Sequence, residues 1–329
     1  MRGWIRNMGL VAVMSGIWMG LSAFSPPPKP IKLALQEGGT ASWEAAAMHE
    51  LKLDESNRIK LVIRKVADSK AGQVALQSGE VDVILSDFVW TSLQRNQGAD
   101  FTFVPHSLTV GGLMAMPDGK VKSVADLKGL TLSAAGGPVD KSYVILQAFY
   151  NTKTGGDLTK DVTVTFGAPP LVNEQLTGGM ADASLNFWHF NARALVAGAV
   201  QIISVQDMLK ELGVARTPPL LGWVFSEKFA ADKPDVIKNY LDASFQTKQA
   251  LLTDDALWDK IRPVMNAPDD KLFIALRDGY RAGIVTSYTD ADIDAAKQAY
   301  ALLAKFGGAD LTGQKPDLSE GTFWAGYRK

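Results

Sequence analysis

The stretch LQSGEVDVILSDFVW at residues 76–90 returns one hundred residues later as LTGGMADASLNFWHF at residues 176–190. Leu76, Gly79, Asp82 and Leu85 recur in register as Leu176, Gly179, Asp182 and Leu185. Each copy reads as a helix end, a glycine, an apolar residue, an aspartate and a short strand. Glycine ends the helix because the left-handed conformation costs it little. The aspartate is expected to bond backbone amides within its own turn. The residues after the strand then sit at its C-terminal edge, where open α/β sheets bind ligands. Two copies imply two similar lobes facing a shared cleft, although helix–Gly–Asp–strand is also a common turn that can recur by chance.

The surrounding pattern is α/β. Strands are expected at Ile31–Leu35, Ile59–Val66, Val81–Leu85, Phe101–Val104, Gly111–Met116, Leu130–Ser133, Val162–Phe166, Ala183–Leu185, Val200–Ser204 and Gly222–Phe225. Helical segments run Trp43–Leu51, Lys70–Gln77, Lys141 to about Thr152, Pro169 to near Gly178, and Asn191–Ala197. Ser123 followed by Asp126 has capping-box spacing, and Gly129 closes that short helix. Alternating strands and helices imply parallel strands joined by crossovers. From Pro234 onward the chain reads as helices: Ile237, Tyr240, Leu241 and Phe245 share helical spacing, as do Ile293, Tyr300 and Leu303 in Ala291–Lys305.

A length of 329 residues suits two domains, and a net charge of −1 offers no field to recruit nucleic acid or an anionic membrane. The absence of cysteine removes disulfides, thiolate metal sites, a cysteine nucleophile and a lipid-modified cysteine anchor. At the N-terminus, Arg2 and Arg6 precede an uncharged run from Met8 to Leu21, with small residues at Ala23 and Ser25. This pattern predicts a cleavable signal peptide over residues 1–25, the run being shorter than the roughly 20 apolar residues of a membrane span. The expected mature protein is exported to a periplasm, is not a lipoprotein, does not span the membrane and is a monomer.

The order IKLALQEGGTASWEAA, ALQSGEVDVILSD, SVADLKGLTLSAAGGPVD, LTGGMADASLNFW resembles the periplasmic substrate-binding proteins of nitrate/sulfonate/taurine ABC importers, a group that includes thiamine-precursor binders. The resemblance spans about residues 30–330. It implies a two-lobe, type II periplasmic binding-protein fold, each lobe a mixed sheet flanked by helices. Residues 26–109 plus 222–329 would make the first lobe and 110–221 the second. Crossings near Leu108–Gly112 and Pro219–Trp223 would form a hinge. The implied partners are a small-molecule ligand and an ABC transporter permease with its ATPase. No cofactor or metal is implied. Many relatives carry a Trp-Glu-Pro-like sequence after the second aspartate, where this chain has Asn186-Phe187-Trp188-His189-Phe190.

By position, four segments face the implied cleft. Gly39, Thr40, Ala41 and Ser42 follow a glycine turn and open a helix, placing amides and hydroxyls for ligand oxygens or simply capping that helix. Ser86 and Asp87 end the first repeat strand, where Asp87 either faces the ligand or caps the next helix. Gly136, Gly137 and Asp140 form a glycine-rich loop before Lys141, without P-loop spacing. Asn186, Trp188 and His189 end the second repeat strand, Trp188 being the first candidate for an aromatic wall and Trp43, Trp90 and Trp223 being secondary to it. Aromatic residues and the lack of arginine in these loops favour a small organic solute over nitrate, with an anionic head still compatible with the helix N-termini. No GxSxG or HExxH motif is present. The expectation is a binding protein without chemistry of its own. The alternatives are a periplasmic accessory or sensor protein on the same fold, or a thiamine-pyrimidine branch that in its enzymatic form uses a cysteine-rich motif.

Overall fold

The computed structural model describes residues 27–313 and 315–329; the expected signal peptide lies outside them. The first part of the chain forms β1 (Lys29–Gln36), α1 (Ala41–Glu50), a short α2 (Leu53–Ser56), β2 (Ile59–Val66), α3 (Ser69–Gln77), β3 (Val83–Asp87), α4 (Phe88–Asn96) and β4 (Phe101–Ser107). It continues through β5 (Gly111–Ala115), a 3-10 turn at Val124–Leu127, β6 (Thr131–Ala135), α5 (Lys141–Thr154), α6 (Leu158–Asp161), β7 (Thr163–Gly167), α7 (Pro169–Thr177), β8 (Ala183–Phe187), α8 (Trp188–Val196), β9 (Val200–Ser204) and α9 (Val205–Glu211). The remainder is β10 (Leu221–Ser226), α10 (Glu227–Asp232), α11 (Pro234–Thr253), α12 (Asp255–Met265), α13 (Asp270–Ala282) and α14 (Asp290–Thr312).

These elements build two five-stranded sheets with orders β2-β1-β3-β10-β4 and β7-β6-β8-β5-β9. The orders match strand for strand. In each sheet three strands pair in parallel, as the alternation of strands and helices predicts. The fourth, β10 or β5, is antiparallel to both neighbours. These are the strands on which the chain enters each sheet from the other. The chain leaves the first sheet after β4 to enter the second at β5, and returns from the second to the first at β10. Each follows a strand of the other sheet and so is not joined to its own sheet by a crossover helix, and nothing forces it parallel.

The repeated phrase is a repeated structure. Helices α3 and α7 end at Gln77 and Thr177, strands β3 and β8 begin at Val83 and Ala183, and helices α4 and α8 begin at Phe88 and Trp188. Gly79 and Gly179 sit at φ 73° and 71°, the left-handed turn that a side chain would resist. The aspartates behave differently from the local turn expected of them. The Asp82 carboxylate accepts the Lys32 amide on β1 at 2.8 Å, and Asp182 accepts the Thr131 amide on β6 at 3.0 Å. Each reaches about fifty residues back and ties the start of its strand to its neighbour. The adjacent strand presents an amide, Lys32 inside β1 and Thr131 at the start of β6, which wins over the local turn.

Two element boundaries bear on the site. Helix α8 starts at Trp188, three residues before the expected Asn191, so Trp188 and His189 form its first turn instead of a loop. Helix α14 runs beyond Lys305, with a non-helical residue at Gly308. The C-terminal helices straddle the two halves. Helix α12 packs on α1, α13 on α8, and α14 on both α4 and α5. One hydrophobic core accordingly runs from Phe88 and Phe103 through Ala296 and Tyr300 to Tyr143 and Leu146.

Candidate functional site

The C-terminal edges of β3 and β8 run straight into α4 and α8, and those of β1 and β6 reach α1 and α5 through loops 37–40 and 136–140. Helix N-termini carry unpaired amides and partial positive charge, so each edge is suited to oxygen atoms. Two of these helices meet across the halves. Asp87 caps α4, its Oδ1 accepting the Trp90 amide at 2.8 Å. Its Oδ2 accepts from Lys141 Nζ at 3.3 Å, at the start of α5. Asp140 caps α5 by accepting the Ser142 amide at 2.8 Å. Burial draws the Lys141 ammonium down, but Asp87 and Asp140 raise it by more, so its pKa lies above the ordinary lysine value. Burial also raises Asp140, against the lowering influence of Lys141 and the Ser142 amide. A Cβ on Gly136 would come within 2.5 Å of Asp140 Oδ2, so the glycine keeps this loop tight against its cap.

A second contact between the halves is aromatic. The Trp188 ring stands edge-on to Trp43 at 6.0 Å and to Tyr280 at 6.4 Å. Trp43 is buried in the core of α1, α12 and α13. Trp188 is only part-buried and rests on Gly279 of α13, where a Cβ would come within 2.8 Å of its ring. His189 packs against Phe190 at 4.5 Å, and its Nδ1 is enclosed without a hydrogen-bond partner. Burial, helped by Arg193, lowers its pKa to about 3.

Beneath Trp188 lies a buried polar cluster that no motif spacing predicts. Glu44, in the first turn of α1, accepts from Ser244 Oγ and from the Tyr280 hydroxyl at 2.9 Å. Lys248 Nζ and His106 Nδ1 each stand 3.6 Å from Glu44 Oε2. Lys248 also reaches Ser244 Oγ at 3.3 Å. Burial lowers Lys248 against the pull of Glu44, and burial with Lys248 nearby holds His106 well below 6.5.

A family model described as NMT1/THI5 like matches residues 55–255, more than half the chain. The chain belongs to the NMT1/THI5-like family. Comparison with curated protein sequences gives no match. Among solved structures, this NMT1/THI5-like protein is similar to the alkanesulfonate-binding protein SsuA from Xanthomonas axonopodis pv. citri bound to MOPS. That likeness has 18% identity and a TM-score of 0.70, covering 91% of this chain and 99% of the other. It is similar to the periplasmic aliphatic sulphonate-binding protein SsuA from Escherichia coli at 16% identity and TM-score 0.70, covering 90% and 98%. It also resembles the desulfurization enzyme DSZB at 11% identity and TM-score 0.59, covering 89% and 97%. At these identities the likeness is one of fold, the two-lobe periplasmic binding-protein fold, which serves a binder and an enzyme alike.

In the NMT1/THI5-like chain the structure does not bring all the sequence-predicted residues together. Asp87, Gly136 and Asp140 lie where α4 meets α5, and Trp188 lies where α8 meets α1 and α13. Thr40 lies with Trp188 on the wall of one cavity, and its side chain makes no capping bond to α1. The polar atoms of other candidates are taken up within one lobe. Asn186 donates to Pro169 O and Asn173 Oδ1 and accepts from the Phe187 amide. Ser42 Oγ donates to Gly39 O, and Ser86 accepts from Gln73. Ala41 is buried, and Gly137 keeps a left-handed turn at φ 103°. Sequence reasoning sets Lys141 only at the end of its loop and does not reach Glu44, His106, Lys248 and Tyr280. They are scattered over 237 residues of chain, from position 44 to position 280, with no motif spacing. The one available signal was chemical: a glutamate one position after Trp43, inside an otherwise apolar helix face.

Proposed function

We propose that this protein is a periplasmic solute-binding protein that captures a small organic ligand between its lobes and delivers it to an ABC importer. The observation that carries this reading is the Asp87–Lys141 pair, in which the N-termini of two helices that follow strands of different sheets meet, while Trp188 makes a separate contact between the halves. Such a junction offers a charged group of either sign to the ligand, while the tryptophan supplies a flat apolar wall. Residues 26–109 with 222–329 would move as one lobe and 110–221 as the other, hinged at the two chain crossings. The contacts of α8 with α13 and of Lys141 with Asp87 would hold the closed form, giving a permease with its ATPase a defined shape to recognise. An anionic head such as a carboxylate or sulfonate fits the helix N-termini, and an aromatic or alkyl body fits Trp188.

A thermal-shift panel of carboxylates, sulfonates and aromatic solutes tests the reading. A specific solute should raise the melting temperature, by mass action on the folded state, and be recovered unchanged. Conversion of that solute by the purified protein would replace binding with catalysis as the function.

A further inference from the structure

Below the meeting point of the lobes, Thr40, His106, Trp188, Lys248 and Tyr280 line a cavity of about 10 Å³. Its mouth residues, Thr40 and Trp188, are part-exposed, whereas His106, Lys248 and Tyr280 at its floor are 3%, 4% and 6% exposed. The volume holds about one water-sized group. The floor has hydrogen-bonding capacity to spare. His106 Nδ1 has no partner, standing 3.6 Å from Glu44 Oε2. Lys248 Nζ has three N–H groups and, among the described residues, only the long contact to Ser244 Oγ and the 3.6 Å approach of Glu44. Lysine and glutamate already balance one another in charge. A further net charge placed here would lie uncompensated in a dry site, at a large desolvation cost.

We propose that this cavity is a specificity subsite for a neutral hydroxyl group on the ligand, accepting from Lys248 Nζ and bonding His106 Nδ1. This rests on the solute-binding reading above and narrows it to hydroxylated solutes. A hydroxyl is the one common ligand group that is water-sized, uncharged, and both donor and acceptor. Removing it would leave Lys248 and His106 desolvated and unpaired, which is how buried polar groups discriminate against a deoxy analogue. Trp188 closes the mouth, so the hydroxyl would sit inward of the group that lies on that ring.

The test uses matched pairs differing by one hydroxyl, glycolate against acetate and isethionate against ethanesulfonate, on the full-length mature protein. The readout is the imidazole resonances in ¹H–¹³C and ¹H–¹⁵N spectra. The chain has three histidines, so His106 can be assigned by comparison with His106→Phe. The expected result is a shift of the His106 ring signals by glycolate or isethionate, with at least tenfold weaker effects from acetate and ethanesulfonate. His106→Phe should abolish the preference. A paired Glu44→Gln, Lys248→Met variant, which keeps the site uncharged, should do the same. If the hydroxylated probes leave His106 unmoved, or move it no more than their deoxy partners, the cavity holds structural water only and the proposal is overturned. Melting-temperature rises with solutes that leave His106 silent would overturn this subsite while sparing the solute-binding reading. Failure of every solute in the panel to raise the melting temperature would count against that reading itself.

Discussion

Asp87 carries two duties that substitution can separate. Its Oδ1 caps α4 and its Oδ2 meets Lys141. Asparagine still caps a helix, whereas alanine does not. Asp87→Ala should therefore lower stability by about 1 kcal/mol more than Asp87→Asn in urea unfolding. Both variants lose the negative partner of Lys141, so both should scatter X-rays as a more open molecule than the parent. An alanine variant no less stable than the asparagine one would remove the capping role. Asp182 offers a parallel case. It holds the Thr131 amide, and Asp182→Ala leaves that part-buried donor unpaired, at about 1–3 kcal/mol. Asp182→Asn keeps an acceptor and should recover most of that loss.

At the level of elements, the return strand β10 is a tight joint. Gly222 lies between β3 and β4, and a Cβ there would overlap the Phe103 ring and the Val104 carbonyl. Gly222→Ala should destabilise the protein by about 1–3 kcal/mol through overpacking against backbone that cannot shift, read as a lower urea midpoint at unchanged slope. The element order was legible because local rules govern it: β2 and β9 have the bounds that apolar and β-branched runs predict, Ile59–Val66 and Val200–Ser204. The repeat predicted a pair of matched turns, and Gly79 and Gly179 provide them. What local rules could not reach were long-range partnerships. Asp82 and Asp182 bond amides on other strands, and Trp188 enters a helix that begins early. The Glu44–Lys248–His106–Tyr280 cluster is assembled from β4, α1, α11 and α13, elements that come together only once the C-terminal helices cover both halves. Sequence spacing carries no trace of such a meeting.

At the level of the whole molecule, two enclosed histidines tie stability to pH. His106 and His189 both titrate below the ordinary 6.5 in the folded protein, chiefly through burial. The unfolded chain therefore binds more protons than the folded one below that value. Stability is full above pH 6.5 and falls as pH drops through it, by up to about 1.4 kcal/mol per pH unit for each histidine. Urea unfolding at pH 7.0 and pH 5.5 should show the loss, and His189→Phe should shrink it by that histidine's share. An unchanged pH dependence in the variant would mean that His189 protonates freely in the folded state.

The central claim is a ligand site where the lobes meet on Trp188, and native mass spectrometry of the exported protein tests it most directly. The parent protein should carry a non-covalent small-molecule adduct that denaturation releases, and folded Trp188→Ala, checked by circular dichroism, should carry little or none. An adduct held equally by both proteins would place the ligand elsewhere and contradict the account.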